Sequence, residues 1–204
     1  MVRVNIDERY VPIEEIRSDE APYIAYFECL DHIFNLDSVD GVCDVGCATG
    51  LLIKRIKENY PSQTVRGIEY FGWQKESANP LIKDCIVLAD MRDSLWLTAM
   101  YDIVNCTEVG EHIDPEFCPV LMHNLRKLCR KYLIMTWSRN GGILDKEHDP
   151  HCQHLNPLPY VEYVHTVKEA GFTKNESLTK AFIEEAKLHT DFKSWWLDSL
   201  VVFS

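Results

Sequence analysis

Short apolar runs bounded by turn residues recur along this chain, and stretches with helical spacing separate them. Strands are expected near residues 41–45, 64–69, 84–88, 101–106 and 132–137, with helices over 51–60, 71–78, a short segment after Arg92, and 115–131. Alternation of this kind argues for an α/β fold: a mostly parallel sheet covered by helices and joined by right-handed crossovers.

The flanks extend the pattern. Residues 1–40 read as an irregular lead and then a helix through APYIAYFECLDHIF, a cap packed on the sheet edge. A polar loop fills 138–157, a helix starts at Pro159 and closes at Gly171, and FTKNESL and SLVVF read as two further strands around a helix containing FIEEAKLH. Residues 1–204 thus form one domain, with the cap at 1–40, the ligand-binding core at 41–137, the loop at 138–157 and a C-terminal part at 158–204. A hydrophobic content of 46 % is enough to give such a domain a core.

Composition narrows the partners. The formal net charge of −11 repels polyanions, so nucleic acid is disfavoured, and the RKLCRK run reads as the solvated face of a helix. No apolar stretch is long enough for a membrane span, and the polar start MVRVNIDERY lacks the core of a secretory signal. The eight cysteines fall mostly inside apolar runs such as GVCDVG and DCIVLA, without a paired CxxC, which fits reduced, buried thiols in a cytoplasmic setting.

DVGCATG, residues 44–50, follows the first strand and opens a helix, the place where open α/β sheets bind ligands. A dinucleotide fingerprint counted from Gly46 would need glycine where Ala48 and Leu51 stand. Asp44 would repel a pyrophosphate and welcome a cationic amino-acid group. The stretch resembles motif I, D-x-G-C/A-x-x-G, of the class I methyltransferases that use S-adenosyl-L-methionine (SAM). That resemblance covers residues 40–137 well and the rest in outline. It implies a Rossmann-like fold with a seven-stranded sheet of order 3-2-1-4-5-7-6. By the same resemblance, Asp44 and the backbone around Gly46, Cys47 and Gly50 surround the methionine part of the cofactor. Glu69 takes the ribose hydroxyls, Tyr70 packs on adenine, Asp90 and Met91 meet the adenine edge, and Thr107 lies beside the cofactor.

TEVGEHID, residues 107–114, is the second unusual stretch. On a helical turn Glu108, Glu111 and His112 would share a face, and such a cluster either binds something positive or repels itself. The spacing is similar to the metal motif of small-RNA 2′-O-methyltransferases and ubiquinone-pathway O-methyltransferases; otherwise it is a solvated helix turn. Two carboxylates with imidazoles suit Mg²⁺ or Mn²⁺, with Zn²⁺, Co²⁺ or Fe²⁺ as alternatives. A further ligand or general base is expected from the long loop. Trp137, Ser138, Gly141, Gly142, His154 and Asn156 resemble a pattern in glycan-associated methyltransferases, including those of large-virus capsid-glycan enzymes, which makes His154 the preferred partner. His148 and His151 read as exposed loop histidines.

Together these features imply a SAM-dependent O-methyltransferase acting on a sugar, glycan or other small-molecule hydroxyl. His112, His154 and Glu111 are the catalytic candidates, and Glu108, Glu111, His112 and His154 the metal candidates. Methylation of RNA 3′ ends, or a SAM-binding module without turnover, are the alternatives.

Overall fold

A computed structural model describes residues 20–95, 100–140, 142–143 and 153–204. The irregular lead before residue 20, Gly141, His148, His151 and part of the segment after Arg92 lie outside them.

Five strands run parallel: β1 (Val42–Val45), β2 (Val65–Glu69), β3 (Ile86–Leu88), β4 (Tyr101–Cys106) and β5 (Cys129–Met135). The last strand, β8 (Val201–Phe203), pairs antiparallel with β5, so the sheet has six strands in the order β3-β2-β1-β4-β5-β8. Helices α1 (Glu20–Phe34), α2 (Leu51–Asn59), α3 (Gly72–Glu76), α4 (Cys118–Leu128), α5 (Tyr160–Glu169), α6 (Glu176–Ala186) and α7 (Ser194–Leu197) complete the chain. None of the described helices is long and apolar enough to cross a membrane.

The side chains of β1, β4, β5 and β8 alternate between two separate cores. Val42, Ile103, Ile134 and Val202 join the layer made with α1, α2 and α6, while Cys43, Val104, Leu133 and Phe203 join the layer made with α4 and α5. Period-two alternation with apolar residues on both sides is what a doubly covered sheet requires. It also explains the cysteines: Cys29, Cys43, Cys106 and Cys129 are buried free thiols filling core positions.

The expected layout holds apart from one strand. FTKNESL was expected to be a strand, but only Lys174 bridges to Phe203 beside β8. Asn175 ends the pairing: its side chain accepts the Leu178 N–H at 3.0 Å and starts α6, so the outermost strand of a seven-stranded sheet is replaced by a capped helix. The loop 138–157 is less irregular than its composition suggested. Strands β6 (Gly142–Ile143) and β7 (Gln153–His154) pair antiparallel at its base, with Gly142 opposite His154.

Strand order reverses between β1 and β4, and register sets Asp44 opposite both Gly67 and Asn105. The carboxyl ends of β1, β2 and β4 therefore open onto one crevice, the usual ligand site of such sheets.

Candidate active site

The glycine loop closes tightly over the end of β1. Gly46 has a φ of +71°, and a Cβ there would lie 2.4 Å from Val109 Cγ2, so the loop after β4 packs directly on glycine backbone. Ala48 also adopts a left-handed φ of +50°. Its N–H is held by Glu69 Oε2 at 2.8 Å, while Glu69 Oε1 accepts the N–H groups of Tyr70 and Phe71 at 2.9 Å each. Glu69 is thus a buried acid bonded to backbone, and burial still pushes its pKa up.

Asp44 is 4 % exposed. Desolvation, helped by the charge of Glu69 and opposed by a hydrogen bond from Asn105, raises its pKa to about 7. Cys47 lies in the same loop and is buried. Gly50, also left-handed, caps α2 with no side-chain bond.

Asp90 and Arg92 form a bidentate pair at 2.7–3.1 Å, and the Arg92 guanidinium stands 5.2 Å from the centre of the Tyr70 ring. Tyr70, expected to pack on adenine, here carries Arg92 on its face. Met91 is buried in the α4 core layer. Thr107 Oγ1 accepts a bond from Asn105 at 3.3 Å.

The acidic turn differs in shape from the helical turn expected. Glu108 has a left-handed φ of +55°, and only Gly110–His112 forms a 3₁₀ turn. Glu111, His112 and His154 nonetheless converge, with one ligand atom from each lying within 4.8 Å of the others. Glu108 supplies no atom to that group, but its carboxyl lies close enough for its charge to act on Glu111. Thr136 Oγ1 donates to its Oε1 at 2.8 Å and accepts its N–H at 3.0 Å. Gly110 is required because a Cβ would sit 2.4 Å from the Trp137 ring.

Glu111 is fully buried, and neither of its carboxylate oxygens has a hydrogen-bond partner among the described residues. Burial first, then the charge of Glu108, pushes its pKa well above the ordinary glutamate range. Its own N–H and that of Ser138 pull the other way and the Glu108 carboxyl pushes it further up, none of them reaching bonding geometry with either oxygen. His154 Nδ1 lies 2.5 Å from the Asn140 carbonyl. A carbonyl can only accept, so Nδ1 carries the proton and Nε2 of the neutral ring keeps its lone pair. The rings of His112 and His154 meet edge to face, 4.9 Å between centres.

The long loop is tied to this turn through backbone. Glu111 O accepts the N–H groups of Leu155 and Asn156 at 2.7 and 2.9 Å, and Trp137 Nε1 donates to Asn156 O at 2.6 Å. Residues 137, 154 and 156 therefore bear on the acidic turn.

Several residues at the site carried no sequence signal. Tyr23 of α1 has its pKa raised to about 12, by burial first and then by the charges of Asp44, Cys47 and Glu108, which sets its phenol between the two acidic regions. Lys193 lies over the rings of Tyr23 and Trp196 and counters part of the rise in Glu108. Asn105 in β4 and Thr136 just past the end of β5 carry no local signal until the strand register brings them in.

A family model described as a methyltransferase domain matches residues 18–177, well over half of the chain. The chain belongs to the methyltransferase-domain family. No curated protein sequence matches this methyltransferase-domain protein. Among solved structures it resembles an O-methyltransferase family protein from Burkholderia thailandensis, with 12 % identity and a TM-score of 0.59 over 87 % of this chain and 54 % of the other. The chain therefore spans about half the length of that protein. It also resembles the [4+2]-cyclase SpnF, with 15 % identity and a TM-score of 0.58 over 87 % and 78 % of the two chains. A third is the O-methyltransferase of a trans-AT PKS multienzyme from Brevibacillus brevis, in complex with S-adenosyl-L-homocysteine, with 17 % identity and a TM-score of 0.62 over 88 % and 71 %. Identities this low establish the fold. That a cyclase shares it means the reaction must be argued from the site.

Proposed function

We propose that this methyltransferase-domain protein is a SAM-dependent O-methyltransferase acting on a hydroxyl of a sugar or glycan, with a divalent ion held by Glu111, His112 and His154. One observation carries the reading: Glu111 is an acid buried at the carboxyl end of the sheet, with both oxygens unpartnered and two imidazoles beside it. Leaving a buried acid unsatisfied is costly, and carboxylate with imidazole is a donor set that Mn²⁺, Zn²⁺ or, with water, Mg²⁺ accepts. The Asn140 carbonyl on His154 Nδ1 is the kind of outer partner that turns the other ring nitrogen to a metal.

The donor brings a methyl group on a cationic sulfonium. Asp44 in its ionised form matches the donor's ammonium group, and Glu69 Oε2, with a single backbone bond, keeps acceptor capacity for a ribose hydroxyl. A divalent ion would lower the pKa of a hydroxyl bound to it and so make a better nucleophile at neutral pH. Glu108, anchored by Thr136, adds negative charge that favours a cation at Glu111. His154 Nε2 is the available proton acceptor wherever it is not a ligand. RNA 3′ ends offer a similar diol, but the net charge of −11 opposes that acceptor.

The test is to strip the protein with a chelator, add back Mg²⁺, Mn²⁺ or Zn²⁺, and screen monosaccharides beside short RNAs for a methyl mass gain. Activity should need the ion and favour sugars. Glu69→Ala should weaken SAM binding, whereas Glu111→Ala should spare binding and stop turnover. Full activity without metal would end the metal assignment, and absence of SAM binding by calorimetry would end the whole reading.

A further inference from the structure

Tyr26 of α1 is 2 % exposed, and its hydroxyl donates to Asn105 Oδ1 at 2.5 Å across 79 positions of sequence. Asn105 Nδ2 in turn donates to Asp44 Oδ1 at 2.6 Å and to Thr107 Oγ1 at 3.3 Å. A side-chain amide has one accepting and one donating side, so its orientation decides what Asp44 faces. With Oδ1 toward the phenol, Asp44 receives an N–H. With the amide turned over, an oxygen would face the carboxylate.

Tyr26 is held in place by its own packing. Its ring lies 5.5 Å from Phe182, 5.7 Å from Phe192 and 5.4 Å from Trp196, between centres, so residues of the C-terminal part, from α6 onward, aim the hydroxyl of the first described helix. Burial keeps that hydroxyl protonated, because its pKa is pushed far up.

We infer that Tyr26 is a positioning residue for the methyl donor: through Asn105 it keeps an amide N–H on the Asp44 carboxylate, coupling the docking of α1 to the cofactor site. The inference rests on the reading of Asp44 as the donor's anchor. Among the described residues, the charge of Glu69 acts on Asp44, and the charge of Asp44 in turn acts on Tyr23, Tyr26, Cys43, Cys47 and Cys106; Lys193 stands over the Tyr23 ring. The thiols and phenols are pushed up by burial, so near neutral pH the titration belongs to Asp44, with Glu69 as the neighbouring acid.

Calorimetric titration of the full chain with S-adenosyl-L-homocysteine from about pH 6 to about pH 9 tests this. Parent affinity should rise with pH through about 7, as Asp44 ionises, and then level off. Tyr26→Phe should bind about tenfold more weakly at pH 7, with its rise displaced to higher pH and most of the affinity recovered at the alkaline end. Asn105→Asp, which sets a second acid against Asp44, should displace the rise further and serves if Tyr26→Phe melts below the assay temperature. A Tyr26→Phe profile equal to the parent's, or weaker by the same factor at every pH, overturns the inference. Asp44→Asn separates the two levels: parent-like binding by that variant would sink the reading of Asp44 itself.

Discussion

Strand β4 has a buried acid at its start, Asp102, and leads into another beyond its end, Glu111, and the two ends treat them in opposite ways. Asp102, 1 % exposed, receives Lys131 Nζ at 2.6 Å, Arg130 at 3.3 Å and the Asp40 N–H at 2.9 Å. Glu111, equally buried, receives no hydrogen bond on either carboxylate oxygen from the described residues. At the amino end of the sheet the fold neutralises the charge it buries. At the carboxyl end it gathers Asp44, Glu69, Glu108 and Glu111, and Lys193 offsets only part of the rise in Glu108. This contrast between the two ends is what motivates our proposal that a bound cation completes the site at Glu111.

Substitutions at the two ends should separate accordingly. Glu111→Gln should cut turnover by about a thousandfold while leaving SAM affinity within about twofold, measured by single-turnover assay and calorimetry. Asp102→Asn should do the reverse: a loss of about 2 kcal/mol in urea unfolding with unchanged donor affinity, since its two cations are half-exposed and can return to water. Gly110→Ala forces a methyl into the Trp137 ring and should cost about 1–3 kcal/mol, with Mn²⁺ affinity falling as the turn shifts.

The pH dependence carries the same contrast with a smaller amplitude. Glu111 holds its proton in the native state above the pH at which the unfolded chain loses it. Its contribution is therefore fully present below an ordinary glutamate pKa of about 4.5 and is lost as pH rises through the elevated native value. The melting temperature of chelator-treated protein should decline over that window, and Glu111→Gln should flatten the decline. Lys131→Met at the paired end should change stability by less than about 1 kcal/mol, because Arg130 remains.

The elements were legible in the sequence wherever apolar alternation and turn residues agreed, which covers β1, β2, β4 and β5 and their helices. FTKNESL misled because its composition suits a strand, whereas the bond from Leu178 N–H to Asn175 favours a helix start. At the site, Asp44 and Glu69 could be found because each sits at a fixed place relative to a strand end. The meeting of Glu111, His112 and His154 could be anticipated from motif resemblance, but the route could not, since it depends on a left-handed Glu108 and a β6–β7 hairpin. Tyr26, Asn105, Thr136 and Lys193 were silent because their roles come from contacts between distant segments, which no local spacing encodes. The Arg92 pair with Asp90 was equally silent, although only two positions separate the partners.

The central claim is that the unpaired acid beside the two histidines is a cation site. Titrating chelator-treated protein with Mn²⁺ in the presence of S-adenosyl-L-homocysteine, read by electron paramagnetic resonance, tests it most directly. One bound Mn²⁺ per chain is expected in the parent, with that site lost in both Glu111→Gln and His154→Ala. No stoichiometric binding by the parent, or binding that both variants retain, would contradict it.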